Sequence, residues 1–190
     1  MNKVAFFYAT FPRPTETFVR RELRAFAQIG FDPDLYSIWK GRSEWEGKKI
    51  LKFQFFRLLY LFFWIPYWAW LKPQVFKEIL VELWAKPCPN LQNWNETFLA
   101  LGFALVEAHN LKNKKYSLLH GIWATMPATA ALALSKLTNT PFSMGAHAYD
   151  VFRTGGDWLL QNKFESALFI RTSSQSTARR IEQLGVPIKK

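Results

Sequence analysis

The chain has 190 residues, 49% of them hydrophobic, which suffices for one sizeable core and excludes a disordered or fibrous protein. Twenty-five Lys and Arg against 14 Asp and Glu leave a formal net charge of +11, so the surface favours anionic partners: nucleic acid, anionic lipid head groups or phosphorylated small molecules. The single cysteine, Cys88, excludes an internal disulfide and a multi-cysteine zinc site, and fits a reducing compartment.

The N-terminal "MNKVAFFYATFPRP" lacks the long apolar core and small-residue cleavage site of a secretory signal, and a cytoplasmic protein is expected. "KVAFFYATF" reads as a buried strand, "TETFVRRELRAFAQIG" as an amphipathic helix and "DLYSIW" as a second strand, a βαβ opening. In that helix Val19, Leu23, Phe26 and Ala27 form the apolar stripe. Arg20, Arg21 and Arg24 take the other side, Thr15 or Thr17 supplies the N-cap, and Gly30 the C-terminal cap.

From about 46 to 112 β signals vanish, and the segment reads as a helical insertion punctuated by Pro66, Pro73, Pro87 and Pro89. Phe76, Ile79, Leu80, Leu83 and Trp84 form one stripe, and Asn95 is a plausible N-cap for the helix that follows it. Between Lys40 and Arg57 lie six basic and two acidic residues, and "LLYLFFWIPYWAWL" then runs uncharged for 14 residues. That is short of the ~20 residues of a membrane-spanning helix, and Pro66 interrupts it. An interfacial element fits better. Lys48, Lys49 and Lys52, on one helical face, with Arg57, would meet anionic lipid, and Trp64, Trp68 and Trp70 would sit at head-group depth. The plain alternative is that these aromatics cover the sheet. Nucleic-acid binding is disfavoured, because the aromatics form a continuous run rather than spaced stacking platforms.

After the basic loop "KNKK" the alternation returns: strands in "YSLLHGIW", "PFSMGAH" and "LFIRTSS", helices in "TMPATAALALSKL", "DWLLQNKFESA" and "QSTARRIEQLG". Five strands with crossover helices predict an α/β fold, a Rossmann-like parallel sheet covered on both faces, as one domain over 1–190. "VPIKK" then stands where another strand could begin. In such sheets ligands bind beyond the carboxyl ends of the strands. His147 and Asp150 of "GAHAYDVF" follow the fourth strand. An imidazole there can donate or accept a proton, with a carboxylate fixing its tautomer. Equally, His147 can bond a backbone group and Asp150 cap the next turn. His120 ends the third strand and either reaches the same crevice or is a satisfied core histidine. His109 is assigned no function. Three histidines offer too few converging ligands for a metal. Arg13, Thr15, Glu16 and Thr17 precede the first helix, where N–H groups, hydroxyls and a cation suit phosphate oxygens, although no glycine-rich phosphate signature is present.

These residues carry a family resemblance. "FPRPTETFVRRELRAFAQIGFDPDLYSIW" resembles the opening of the group 4 glycosyltransferases, and "HGIWATMPATAALALSKLTNTPFSMGAHAYDVF" with "FIRTSSQSTARRIEQLGV" is similar to the later part of their N-terminal domain. The likeness spans residues 3–187 with a diverged middle, and "TETF", "PATAALALSKL" and "AHAYD" are its most specific pieces. It implies the acceptor-binding half of a two-domain GT-B enzyme, hexosyltransferase-like, which needs no metal or cofactor and moves a sugar with retention from a nucleotide-sugar co-substrate. The acceptor would be a lipid-linked glycan or surface polysaccharide at the inner membrane surface. His147 matches the family's active-site histidine and Asp150 the acidic position behind it. The Thr15–Thr17 loop matches the segment near the donor diphosphate, and Ser173 and Ser174 fall in the polar turn after the last strand. Related sequences often read His-Ala-His-Phe where this chain reads "HGIW", so Ile122 stands in for a second histidine. The family's second domain, with the donor site and paired glutamates, lies beyond this chain. Alone, the chain is expected to transfer poorly, and a separate donor-binding chain is one implied partner. The alternative is a non-catalytic membrane-associated module or truncated relic.

Overall fold

Eight residues with five consecutive buried positions, Val4–Phe11, form the central strand β1 of a computed structural model that describes residues 3–153 and 157–186. Around it lie β2 (Asp34–Gly41), β3 (Glu44–Trp45), β4 (Lys48–Lys52), β5 (Leu118–Gly121), β6 (Phe142–Gly145) and β7 (Ile170–Arg171). The sheet order is β3-β4-β2-β1-β5-β6-β7. Every neighbouring pair is parallel except β3 with β4. The architecture is α/β and Rossmann-like, as expected. The five expected strands are all present, and β3 and β4 extend the sheet by two.

Alternation along β1 builds both layers, since successive side chains point to opposite faces. Val4, Phe6 and Tyr8 pack with Val19 and Leu23 of α1 (Thr17–Gln28). Ala5 and Phe7 face the larger core shared with α4 (Leu91–Asn113) and α5 (Met126–Thr138). Buried Ala128, Ala130, Ala131 and Ala133 make α5 a thin helix that lies close under the sheet. A Cβ on Gly121 would stand 2.6 Å from the Ala128 backbone, so only glycine fits there.

Gly30 ends α1 as expected: at φ +72°, with Phe31 N–H bonded to Phe26 C=O and Gly30 N–H to Ala27 C=O, it is a Schellman cap. The start of α1 differs. Glu16 holds the N-cap position, and no side chain, Thr15 and Thr17 included, caps it. Ala27, assigned to the apolar stripe, is exposed. For α4 the cap is Asn90, which accepts from Asn93 N–H at 2.9 Å, one turn earlier than Asn95.

The segment 46–112 departs most. Lys48, Lys49 and Lys52 lie on strand β4, not on a helix, so Lys49 points opposite to the other two. Lys48 is paired with Asp32. A five-residue strand with one buried residue, Ile50, and three lysines leaves no apolar run by which to read it, and the edge beyond it, β3, is only two residues long, which limits edge-to-edge pairing. A 3-10 helix (Phe55–Tyr60) then leads into α2 (Leu61–Leu71), which continues through Pro66, and α3 (Pro73–Ala85). In α3, Leu83 is buried but Leu80 and Trp84 are exposed. Arg57 is ion-paired with the buried Glu107. Trp68 is 1% exposed and its indole N–H donates to Leu105 C=O at 2.9 Å, so it is a core residue. Trp64 is half-buried, stacked on Trp68 and His109. Trp70 is 80% exposed. Among the described residues no helix is long and apolar enough to cross a membrane. The rest of the chain forms α6 (Tyr149–Phe152), α7 (Leu160–Ser166) and α8 (Gln175–Gln183).

The two tryptophans give opposite expectations. In chemical denaturation Trp68→Ala should cost about 3–5 kcal/mol, while Trp70→Ala should stay within about 0.5 kcal/mol of the parent.

Candidate functional site at the carboxyl ends of the strands

β1, β5, β6 and β7 are adjacent and parallel, so the loops after them share one rim of the sheet. After β1 the chain turns through a cis Phe11–Pro12 peptide. Phe11 N–H donates to Ser37 Oγ at 3.0 Å, where the β1–β2 register shifts. Arg13, Thr15 and Thr17 are exposed on this loop, and Glu16 is buried beside them. Burial raises the Glu16 pKa, opposed by Arg13, 4.0 Å away, and by the Trp123 indole.

Asp150 ties two of the loops together. Its carboxylate accepts from Ala124 N–H at 3.0 Å, after β5, and from His147 N–H at 3.1 Å and Ala148 N–H at 2.8 Å, after β6. With 0% exposure and three backbone donors it serves as a cap, the second of the two roles open to it. A buried ion pair continues the tie: Lys163 of α7 donates to Ala124 C=O at 2.6 Å and Thr129 Oγ1 at 3.0 Å, and it pairs with Asp157. Burial lowers the Lys163 pKa, against the pull of Asp157.

His147, 5% exposed, sits within this frame. The edges or faces of Phe18 and Trp123 lie against its ring, each with centroids 5.1 Å away. Nδ1 is 3.3 Å from Ser173 Oγ, so a hydroxyl, rather than the Asp150 carboxylate, is the group that meets the ring nitrogen. Nε2 is buried without a hydrogen-bond partner among the described residues. Burial lowers the His147 pKa, partly offset by Asp150 and the nearby Ile122 carbonyl, which keeps the ring neutral at pH 7. The ring has room because residue 145 is glycine: a Cβ there would stand 2.7 Å from Nε2 and 2.2 Å from Ile122 C=O. Ser174 caps α8, accepting from Thr177 N–H at 3.1 Å.

His120 is not part of this constellation. It is a core histidine, bonded through Nδ1 to Ser143 Oγ at 2.7 Å and lying against Phe6 and Phe169. Burial, with help from Arg171 and His147, takes its pKa down to about 3. Among the described residues no three His, Cys, Asp or Glu side chains converge as metal ligands. Phe18, Trp123 and Lys163 went unread in the sequence. Lys163 in "LQNKFES" has the look of a solvent-facing helix lysine, and only the acid at 157, six residues back, hints at a buried pair.

No family model matches the chain, and no curated protein matches it. The resemblance to the group 4 glycosyltransferases therefore rests on the motifs quoted above.

His120 fixes a pH dependence. Its folded pKa lies below its unfolded value of about 6.5, so between these values the unfolded chain binds the extra proton, and stability is lost as pH falls from about 6.5 toward 3. Urea melts across that range should show a shallower fall for His120→Gln than for the parent.

Proposed function

We propose that the chain is the acceptor-binding half of a retaining glycosyltransferase, working with a donor-binding unit that supplies the nucleotide-sugar. The observation that carries this reading is the convergence on His147 of the first turn of α1 and the loops after β5 and β7, through Phe18, Trp123 and Ser173. A neutral imidazole held by aromatic walls suits a hydrogen bond to a sugar hydroxyl, because neither partner need carry charge into a site that excludes water. Exposed Arg13, Thr15 and Thr17 on the neighbouring loop suit donor phosphate oxygens. Asp150 acts by fixing the His147 backbone rather than by touching substrate. Transfer from a radiolabelled nucleotide-sugar, assayed in membranes from cells carrying the chain in its native context, should fall at least a hundredfold for His147→Ala, with a retained cooperative melt of the purified variant showing that it folds despite the lost packing. Turnover equal to the parent would sink the assignment.

The same chain is proposed to lie on the inner membrane surface through the 3-10 helix and α2. Phe56, Phe62, Phe63 and Trp70 are exposed there, Phe62 at 94%, beside exposed Lys52 in a chain of net charge +11. This is far more apolar surface than a small core leaves uncovered, and it suits interfacial depth with cations at the head groups. Of the residues expected to touch lipid, Trp70, Lys52 and Lys49 remain suited to it by exposure, with Trp64 half-buried. Trp68, Arg57 and Lys48 are engaged within the protein. Co-sedimentation with phosphatidylglycerol-containing liposomes should drop at least fivefold for the Phe62→Ser, Trp70→Ser double variant. Undiminished co-sedimentation would refute membrane docking by this face.

A further inference from the structure

A cavity of about 440 Å³ opens beside the loop after β1, between that loop and the N-terminal end of α4, with Arg13, Trp39, Asn95, Glu96 and Met126 among its walls. Its volume suits a small ligand. Trp39 is 42% exposed, and its indole is braced by Phe55 in a T-shaped contact, centroids 5.5 Å apart. A fixed indole presents an apolar platform that keeps its polar edge wet, which matches the C–H face of a sugar ring. The opposite wall is polar and already ordered. Glu96 accepts from Gln92 at 2.7 Å and from Arg153 at 3.0 Å, and Gln92 in turn accepts from Tyr149 Oη–H at 3.3 Å. The Asn95 amide lines the same space. A platform facing amides, a carboxylate and a guanidinium is a set of groups for a ring bearing several hydroxyls.

Leu91 also lines a second, shallower cavity of about 380 Å³, whose walls are Cys88, Asn90 and Trp94 as well. Leu91 is 74% exposed and Trp94 about half exposed, in the first turn of a helix whose buried side lies elsewhere. The first cavity, apolar over most of its lining with polar groups from α4 and Arg13, thus meets an apolar trough at Leu91.

We propose that these two cavities form one site for an amphiphilic glycan acceptor: the sugar head lies on Trp39 and bonds Asn95, Arg13 and Glu96, while the apolar chain leaves across Leu91 and Trp94. The assignment deepens the transferase reading and rests on it for the word acceptor. Arg13 connects the cavity to the histidine crevice, since it lines the cavity and also neighbours Glu16, which lies beside Trp123.

The test is calorimetric titration of the full chain, without any sugar donor, using octyl glycosides of glucose, mannose, galactose and N-acetylglucosamine below their micelle concentrations. The free sugars and octyl sulfobetaine serve as head-only and tail-only probes. At least one octyl glycoside should bind tenfold or more tightly than its free sugar. Trp39→Ala and Asn95→Ala should each weaken it at least fivefold, and Leu91→Ser should erase most of its advantage over the free sugar. All three side chains are exposed, and an unchanged melting temperature checks that each variant folds. Failure of every octyl glycoside to bind, undiminished binding in both Trp39→Ala and Asn95→Ala, or equal binding of octyl sulfobetaine would overturn the proposal. Because no donor is present, this result is separate from whether His147→Ala abolishes transfer.

Discussion

The Asp150 carboxylate is the constraint from which the site follows. Three N–H groups from two loops converge on it within 3.1 Å, and at full burial each would be costly to leave unpaired. One side chain therefore sets where the chain leaves β5 and where it leaves β6. His147 inherits its place from that bond through its own N–H, and Trp123, next to Ala124, inherits its place from the other side. Lys163 repeats the device one layer deeper by holding the Ala124 carbonyl, so the same residue is gripped at both its N–H and its C=O. The imidazole is held separately, by Ser173 at Nδ1 and by the rings of Phe18 and Trp123, so backbone and ring are fixed by different groups.

Two kinds of surface meet around this frame. The rim at the strand ends carries polar groups whose partners are mainly backbone, whereas the 3-10 helix and α2 expose aromatic side chains that the core does not use. α4 belongs to both: its middle is buried against α5, and its first turn shows Leu91 and Trp94 to solvent. A chain that handles a sugar at one end and a hydrocarbon at the other would need such an arrangement, and the proposed acceptor site lies where the two surfaces join.

The sequence made much of the fold legible because parallel strands buried on both faces are short apolar runs, and β1, β2, β5 and β6 have that form, whereas β7 is a half-buried edge pair marked only by the apolar residues just before it. β4 was hidden for the opposite physical reason: it lies next to the short edge strand β3 and keeps three lysines and a single buried isoleucine, with no apolar run. The site was legible at His147, through position after a strand, but not in its surroundings. Lys163 and Trp123 are brought near it by tertiary packing, and nothing local distinguishes a buried lysine on a helix from a wet one. The aromatic run misled for a related reason. Trp64, Trp68 and Trp70 have the same chemistry in the sequence, and only α4 on one side of α2 decides which is core.

The alanines of α5 have a mechanical side. Phe103 of α4 meets the Phe7 ring of β1 directly, so α4 and α5 share one face of the sheet, and the small side chains of Ala128, Ala130, Ala131 and Ala133 let α5 pack closely against both the strands and α4. The first turn of α4 is one wall of the Trp39 cavity, while the opposite wall is anchored on β1 and β2. The shape of that cavity thus depends on core packing as well as on its lining, since Met126 at the start of α5 is one of its walls. Enlarging one methyl in α5 would displace that wall and alter the bore of the cavity, with no polar contact changed.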